Sequence, residues 1–165
     1  LQKVYVPKYI FTLSKVTSSL VNLLFAMGAM FLVFLITGIR FSLSMLLIPV
    51  VLTELYLFSL GLGLFLAQAA VFFRDVQYIY SVLLTAWTYL TPLFYPMEML
   101  SDGMQEGIRL LNPMYYYVTQ FRNAVMYQQL PGWQSLTYGF VIAFAVLGIG
   151  TWSFLHAQDR FILYI

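Results

Sequence analysis

The stretch VTSSLVNLLFAMGAMFLVFLITGI, residues 16–39, decides the fold: it holds no Asp, Glu, Lys, Arg or His between Lys15 and Arg40. A helix needs about 20 mostly apolar residues to cross the roughly 30 Å hydrocarbon layer of a bilayer, and this window supplies them. Working outward, three more windows of the same kind follow. Glu54 is the one charge between Arg40 and Arg74, none stands between Asp75 and Glu98, and none stands from Trp133 to His156. The chain is 62% hydrophobic and 8% charged, with mean hydropathy +0.85. Soluble domains carry about 25% charged residues, so an ordinary water-soluble domain is excluded.

The remaining composition narrows the chemistry. A net charge of +2, scattered along the chain, lacks the clustered basic face of a nucleic-acid binder. Cysteine is absent and His156 is the single histidine, so thiolate and multi-histidine metal sites are excluded. No GxxxxGK[ST] phosphate loop, GxSxG or HExxH occurs. No catalytic residue, metal or cofactor is therefore assigned to this chain. The sequence opens at Leu1 without a signal-peptide pattern and reads as a membrane protein joined partway along its length.

The expected architecture is an all-α, multi-pass bundle with four spans in one transmembrane domain, 1–165. The spans fall at about Val16 to Ile39, Met45 to Phe73 (bending at Pro49, tilting or overrunning the bilayer), Tyr78 to Pro96, and Leu136 to Leu155. Four spans put both termini on one side. Lys3, Lys8, Lys15, Arg74 and Arg160 share that side and Arg40, Arg109 and Arg122 the other, so the positive-inside rule places the termini in the cytoplasm.

The long connection has its own pattern. Met97, Leu100, Met104, Ile108 and Leu111 recur at helical steps, and after Asn112-Pro113 a second series runs Met114, Val118, Phe121, Val125. Two short amphipathic helices over 97–135, closed by Pro131-Gly132, form either a hairpin dipping into the membrane or a pair resting on the headgroups. A re-entrant hairpin requires surrounding protein or a wet cavity, because bare backbone is not tolerated in lipid.

Tyr78, Ser81, Thr85, Thr88, Pro92 and Tyr95 follow at three- and four-residue steps, one stripe on the third span, with Trp87, Tyr89 and Phe94 beside it. Such a face suits either interhelical packing or the wall of a conduit for a polar solute; Tyr95 also suits an interfacial belt. Glu54, an ionisable group inside a span, is a functional candidate by default. Ser59, Gly63 and Ala67 form a small-residue series for close helix approach. Arg74 and Asp75 read as a solvated turn or a docking point for a cytoplasmic partner.

The runs KVYVPKYIF (3–11), FFRDVQYIYSVLLTAWTYLTPLFYPMEML (72–100) and LNPMYYYVTQFRNAV (111–125) resemble the type-2 ATP-binding-cassette permeases that export O-antigen, capsular polysaccharide and teichoic acid. The resemblance implies the third to sixth spans of a six-span permease that pairs as a homodimer in the plasma membrane. A separate nucleotide-binding ATPase subunit would carry ATP and Mg. It further implies an extracellular gate at Asn112, Pro113, Tyr116, Phe121 and Arg122, and coupling to the ATPase through Lys3, Lys8, Arg74 and Asp75. Tyr78, Ser81, Thr85, Trp87, Thr88, Tyr89, Phe94 and Tyr95 would line the route of a lipid-linked glycan among membrane lipids. The alternatives from the residues are a permease for another amphiphile, such as a drug or lipid, an intramembrane enzyme of envelope-polymer assembly using Glu54, and a structural scaffold.

Overall fold

The computed structural model describes residues 9–38, 41–73 and 75–157, and these are all-helical with turns and no strand. Three helices are long and apolar enough to cross a membrane: α1 (Tyr9–Thr37), α2 (Ile48–Phe72) and α6 (Trp133–Ala157). α1 stops at Gly38, whose φ of +72° is the left-handed conformation that ends helices and that glycine adopts freely. A 3-10 turn, Leu43–Leu47, leads into α2, so the pair forms one apolar rod over Leu43–Phe72. Pro49, where a bend is one of the expected alternatives, lies at the start of α2 rather than in the helix interior. It sits in the first turn of α2, where its missing N–H is one the helix leaves unpaired anyway.

The expected third span is the main correction. Helix α3 covers only Val76–Leu90, 15 residues or about 22 Å at 1.5 Å per residue, and does not continue to Pro96. Pro92 disfavours helical geometry at Thr91, which is extended at φ −89° and ψ 127°. A short 3-10 turn, Met97–Met99, precedes two further helices, α4 (Asp102–Leu111) and α5 (Pro113–Val125). The two amphipathic helices expected here are therefore present, although the first begins at Asp102 rather than Met97.

α2 and α6 form the central seam. A Cβ on Gly150 would collide with the carbonyl of Gly61, and a Cβ on Gly61 would meet the Leu147 backbone at 2.5 Å, so the helices touch main chain to main chain. Leu64, Phe154 and Ala157 continue the seam, with Ala67 packed beside them. Gly63, two positions from Gly61, instead lets α1 approach: its Cβ would meet Thr12 at 3.1 Å and Val16 at 3.5 Å. Thr17 and Tyr56 hydroxyls bond across the same α1–α2 contact at 3.0 Å.

α5 lies against both members of the seam, and α4 packs chiefly on α5. Near Val125, Ala124 packs with Met45 and Ile48, and the Ser44 hydroxyl donates to the Ala124 carbonyl at 2.9 Å. Near Pro113, Tyr117 packs with Val51, Phe58 and Ala143. Phe58 stands ten positions beyond Ile48, about 15 Å along the α2 axis. The α4–α5 hairpin thus reaches well down the side of the long helices.

Candidate functional site

Where α3 ends, the hairpin meets it. A helix terminus leaves carbonyls without intrahelical partners, and in an apolar surrounding each needs a donor. Asn112, buried at the α4–α5 turn, supplies the junction. It accepts from the Trp87 indole N–H at 2.7 Å and from the Met114 N–H at 3.1 Å, capping α5. It donates to the Thr91 hydroxyl at 2.9 Å and to the Leu90 carbonyl at 3.3 Å. The Tyr95 hydroxyl folds back to donate to the Tyr89 carbonyl at 2.9 Å, and Arg122 donates to the Leu93 carbonyl at 2.8 Å. Pro113 occupies the first turn of α5, where it is tolerated. The bent, non-helical stretch 91–96, tightened by a Leu93 N–H to Thr91 carbonyl bond at 2.7 Å, is therefore stitched by side chains of both the stripe and the hairpin.

The stripe itself divides. Tyr78, Ser81, Thr85, Thr88 and Tyr89 are exposed on α3, a helix with no buried residue. The hydroxyls of Ser81, Thr85 and Thr88 donate to their own helix, to Tyr78, Ser81 and Leu84 carbonyls at 2.7, 3.0 and 2.9 Å. Their polarity is thus satisfied locally, and no neighbouring helix among the described residues uses it. Pro92 and Tyr95 leave the stripe because the helix ends first; Pro92 is buried and Tyr95 half-buried. Trp87 is half-buried, set edge-on to Phe58 with centroids 6.2 Å apart at 89°.

Two open cavities lie side by side here. One, about 590 Å³, runs between α1, α2 and α3 past Tyr80, Trp87 and Thr88. The other, about 700 Å³, lies between α1, α2, the 93–96 segment and α5, with Phe94, Tyr95, Phe121 and Arg122 on its walls. Leu23, Leu55, Leu93, Met114 and Val118 border both, making one apolar groove along α2. Tyr78, Ser81, Thr85 and Tyr89 line neither cavity.

Of the hairpin positions singled out from sequence, Tyr116 stacks with Tyr115 and Tyr138, at centroid separations of 5.5 and 5.8 Å, tying α5 to the start of α6. Burial, reinforced by the Tyr138 and Tyr115 phenols and opposed by Arg109, holds its hydroxyl above the ordinary tyrosine range. Asp75 is exposed at the start of α3 and bonds no backbone there as a cap. Lys3, Lys8 and Arg74 lie outside the described residues.

Sequence reasoning missed Tyr117 and Gln120. Of the apolar series, Met114, Val118 and Phe121 face the groove and Val125 is buried; the other buried positions of α5 are Gln120, Ala124 and Tyr117, the last also bordering the groove. The Tyr117 hydroxyl donates to the Gly139 carbonyl at 3.2 Å and Gln120 Nε2 to the Ser135 carbonyl at 2.9 Å, both on α6. A glutamine among apolar neighbours at a three-residue step from Tyr117 was the available signal.

Long apolar helices around a groove, with a short helix whose open end is sealed by hydrogen bonds, mark a membrane protein. The chain belongs to the ABC-2 type transporter family, whose pattern matches residues 2–126. It is 29% identical over 162 residues to the O-antigen export system permease protein RfbA of Myxococcus xanthus. That alignment takes in 98% of this chain and 62% of the relative, so the chain spans less than two thirds of the relative's length.

Proposed function

We propose that this chain is the membrane-spanning part of an ATP-driven exporter that passes a lipid-linked polysaccharide, of the O-antigen or teichoic acid kind, across the plasma membrane. The observation that carries the reading is the alignment with an O-antigen export permease along 98% of the chain. In this reading a separate nucleotide-binding subunit supplies ATP hydrolysis with its Mg, and two copies of the permease enclose the passage. Lys3, Lys8, Arg74 and Asp75 form the cytoplasmic face that meets the ATPase, and both ends of the chain are cytoplasmic.

Four crossings are then made by α1, α2, α3 continued by 91–96, and α6. α3 supplies about 22 Å as helix, and the bent, non-helical stretch 91–96 makes up the rest of a layer of about 30 Å. The α4–α5 hairpin re-enters from the outside and acts as the gate. Its depth alongside Phe58 and the sealing of every carbonyl named above support this, since non-helical backbone at membrane depth needs protein around it.

Cargo chemistry suits these walls. A long hydrated polymer requires weak repeated contacts, because a tight site would stall it. The exposed α3 face offers locally satisfied hydroxyls and the Tyr78 and Tyr89 rings, with no fixed charge. The neighbouring groove is apolar with Arg122 at its wall, a setting for the lipid portion beside an anionic group.

The test is reconstitution of the full permease with its ATPase in vesicles, together with deletion of its gene in the host. The expected result is loss of surface glycan on deletion and ATP-dependent movement of lipid-linked glycan in vesicles. Transport of small amphiphiles with unchanged surface glycan would assign the permease to another cargo.

A further inference from the structure

Glu54 is the single charged residue inside α2, and it is 0% exposed, as is Gln120 facing it from α5. Three side-chain acceptors in this spot have no hydrogen-bond partner: both Glu54 carboxyl oxygens and Gln120 Oε1. Gln120 interacts with the Glu54 carboxyl without closing a hydrogen bond of standard geometry. The Tyr117 hydroxyl donates to Gly139 and one Gln120 Nε2 hydrogen to Ser135, which leaves the second amide hydrogen as the one donor near the Glu54 carboxyl. Three buried acceptors facing one remaining donor hydrogen are short of donors, an unfavourable arrangement unless another is added.

The space decides what can be added. A Cβ on Gly139 would collide with Glu54 Oε2 and come within 2.9 Å of Gln120 Nε2, so α6 presses its backbone onto the pair. Neither cavity includes Glu54 or Gln120 in its walls. A water needs its own volume and two or more partners, and a metal cation needs a shell of about six oxygen ligands. A proton needs none. No charge on the facing elements reaches the carboxyl: Arg122 of α5 is turned to the Leu93 carbonyl at the groove wall, Tyr117 is the titratable group opposite on α5, and α6 carries no charged residue from Trp133 to Leu155. An ionised carboxylate there would be unpaired in an apolar interior, the arrangement proteins avoid by keeping the acid neutral.

We propose that Glu54 is held as the neutral carboxylic acid and donates its O–H to Gln120 Oε1, forming a pin that fastens the α4–α5 hairpin to α2 and α6. The proton supplies the missing donor and satisfies the amide oxygen in one bond. Tyr117 and Phe121, on the same helix, form part of the groove wall, so the pin sets where that wall stands. Glu54 is a positioning residue acting through the hairpin. A neutral pin also suits a moving element, because it separates without exposing a buried charge.

Infrared difference spectroscopy on the full permease in lipid, wild type minus E54Q, tests this at neutral pH without reference to cargo. The expected result is a protonated-carboxyl carbonyl band, absent in E54Q, that moves to higher frequency in Q120L as its hydrogen bond is lost. E54Q, whose amide donates in the same place, keeps the wild-type protease resistance of the hairpin, and E54L loses it. An ionised-carboxylate band in the difference spectrum, a carbonyl band that Q120L leaves unmoved, or equal protease resistance in E54L would each overturn the proposal. Should E54Q not accumulate, the shift between wild type and Q120L reads the same bond. Because no arm requires glycan or ATP, failure here is distinguishable from failure of the export reading.

Discussion

The α2–α6 seam and the α3–hairpin junction hold the same bundle together by opposite means. Along the seam, Gly61 and Gly150 bring two backbones into contact, with Leu64 and Phe154 filling beside them. At the junction, Asn112, Thr91, Tyr95 and Arg122 stitch an interrupted chain through side-chain hydrogen bonds. In lipid the hydrophobic effect between helices is weak, so close packing and hydrogen bonds must do the holding. The seam uses chiefly the first, with one side-chain hydrogen bond across it, from the Ser153 hydroxyl to the Gln68 amide oxygen. The junction uses the second, and hydrogen bonds can be exchanged one at a time, which fits an element that moves.

Breaking the seam should have the largest effect. Gly150→Val places side-chain atoms where the Gly61 carbonyl stands, and overpacking against backbone of this kind costs about 3 kcal/mol. The expected outcome is loss of the monodisperse permease, read by size-exclusion chromatography and thermal unfolding in detergent. A neighbouring control, Gly148→Ala, meets open space and should be close to neutral.

The junction should respond less to a single change, yet more locally. Asn112→Ala removes the α5 cap and leaves the Trp87 indole N–H and Leu90 carbonyl without partners, a loss of about 1–3 kcal/mol. Limited proteolysis of the intact permease should then cut within 91–112 while α2 and α6 stay protected. Uniform destabilisation of all helices would show that the junction is not a separate unit.

The smallest structural effects are expected on the exposed α3 face, where they sharpen the distinction between packing and passage. Thr85→Val removes a hydroxyl bonded only to its own helix, and Tyr89→Ala trims a ring that is 71% exposed. Both should change stability by less than about 0.5 kcal/mol. If this face lines the route of the cargo, export falls in these variants at unchanged protein level. Export and level falling in proportion would make the face a packing surface.

Much of this was legible in sequence because apolar length and helical periodicity are local properties. The long windows gave α1, α2 and α6, and Asn112-Pro113 gave the start of α5 almost to the residue. The third window misled for a physical reason: Leu93, Phe94 and Tyr95 are apolar enough to be a span, but Pro92 ends the helix ahead of them. Hydropathy alone does not distinguish apolar helix from apolar non-helical chain. Nor did periodicity find Gln120, since α5 is covered on two faces and most of its apolar series points to the groove rather than into the seam. Glu54 was conspicuous by its charge, but its partner came from 66 positions away, a juxtaposition that only the fold creates.

The central claim is that the hairpin is packed between α2 and α6 deep in the bundle. Residues 1–165 contain no cysteine, so thiols introduced among them are the only ones in this segment. Tyr117→Cys and Ala143→Cys, introduced together into the full permease in native membranes, place thiols in one buried cluster of α5, α6 and α2. The account predicts rapid cross-linking by a short bifunctional thiol reagent and no labelling of either site by a membrane-impermeant maleimide. Absence of the cross-link, with ready labelling of the cysteine at position 117 from outside, would contradict it and return the hairpin to the membrane surface.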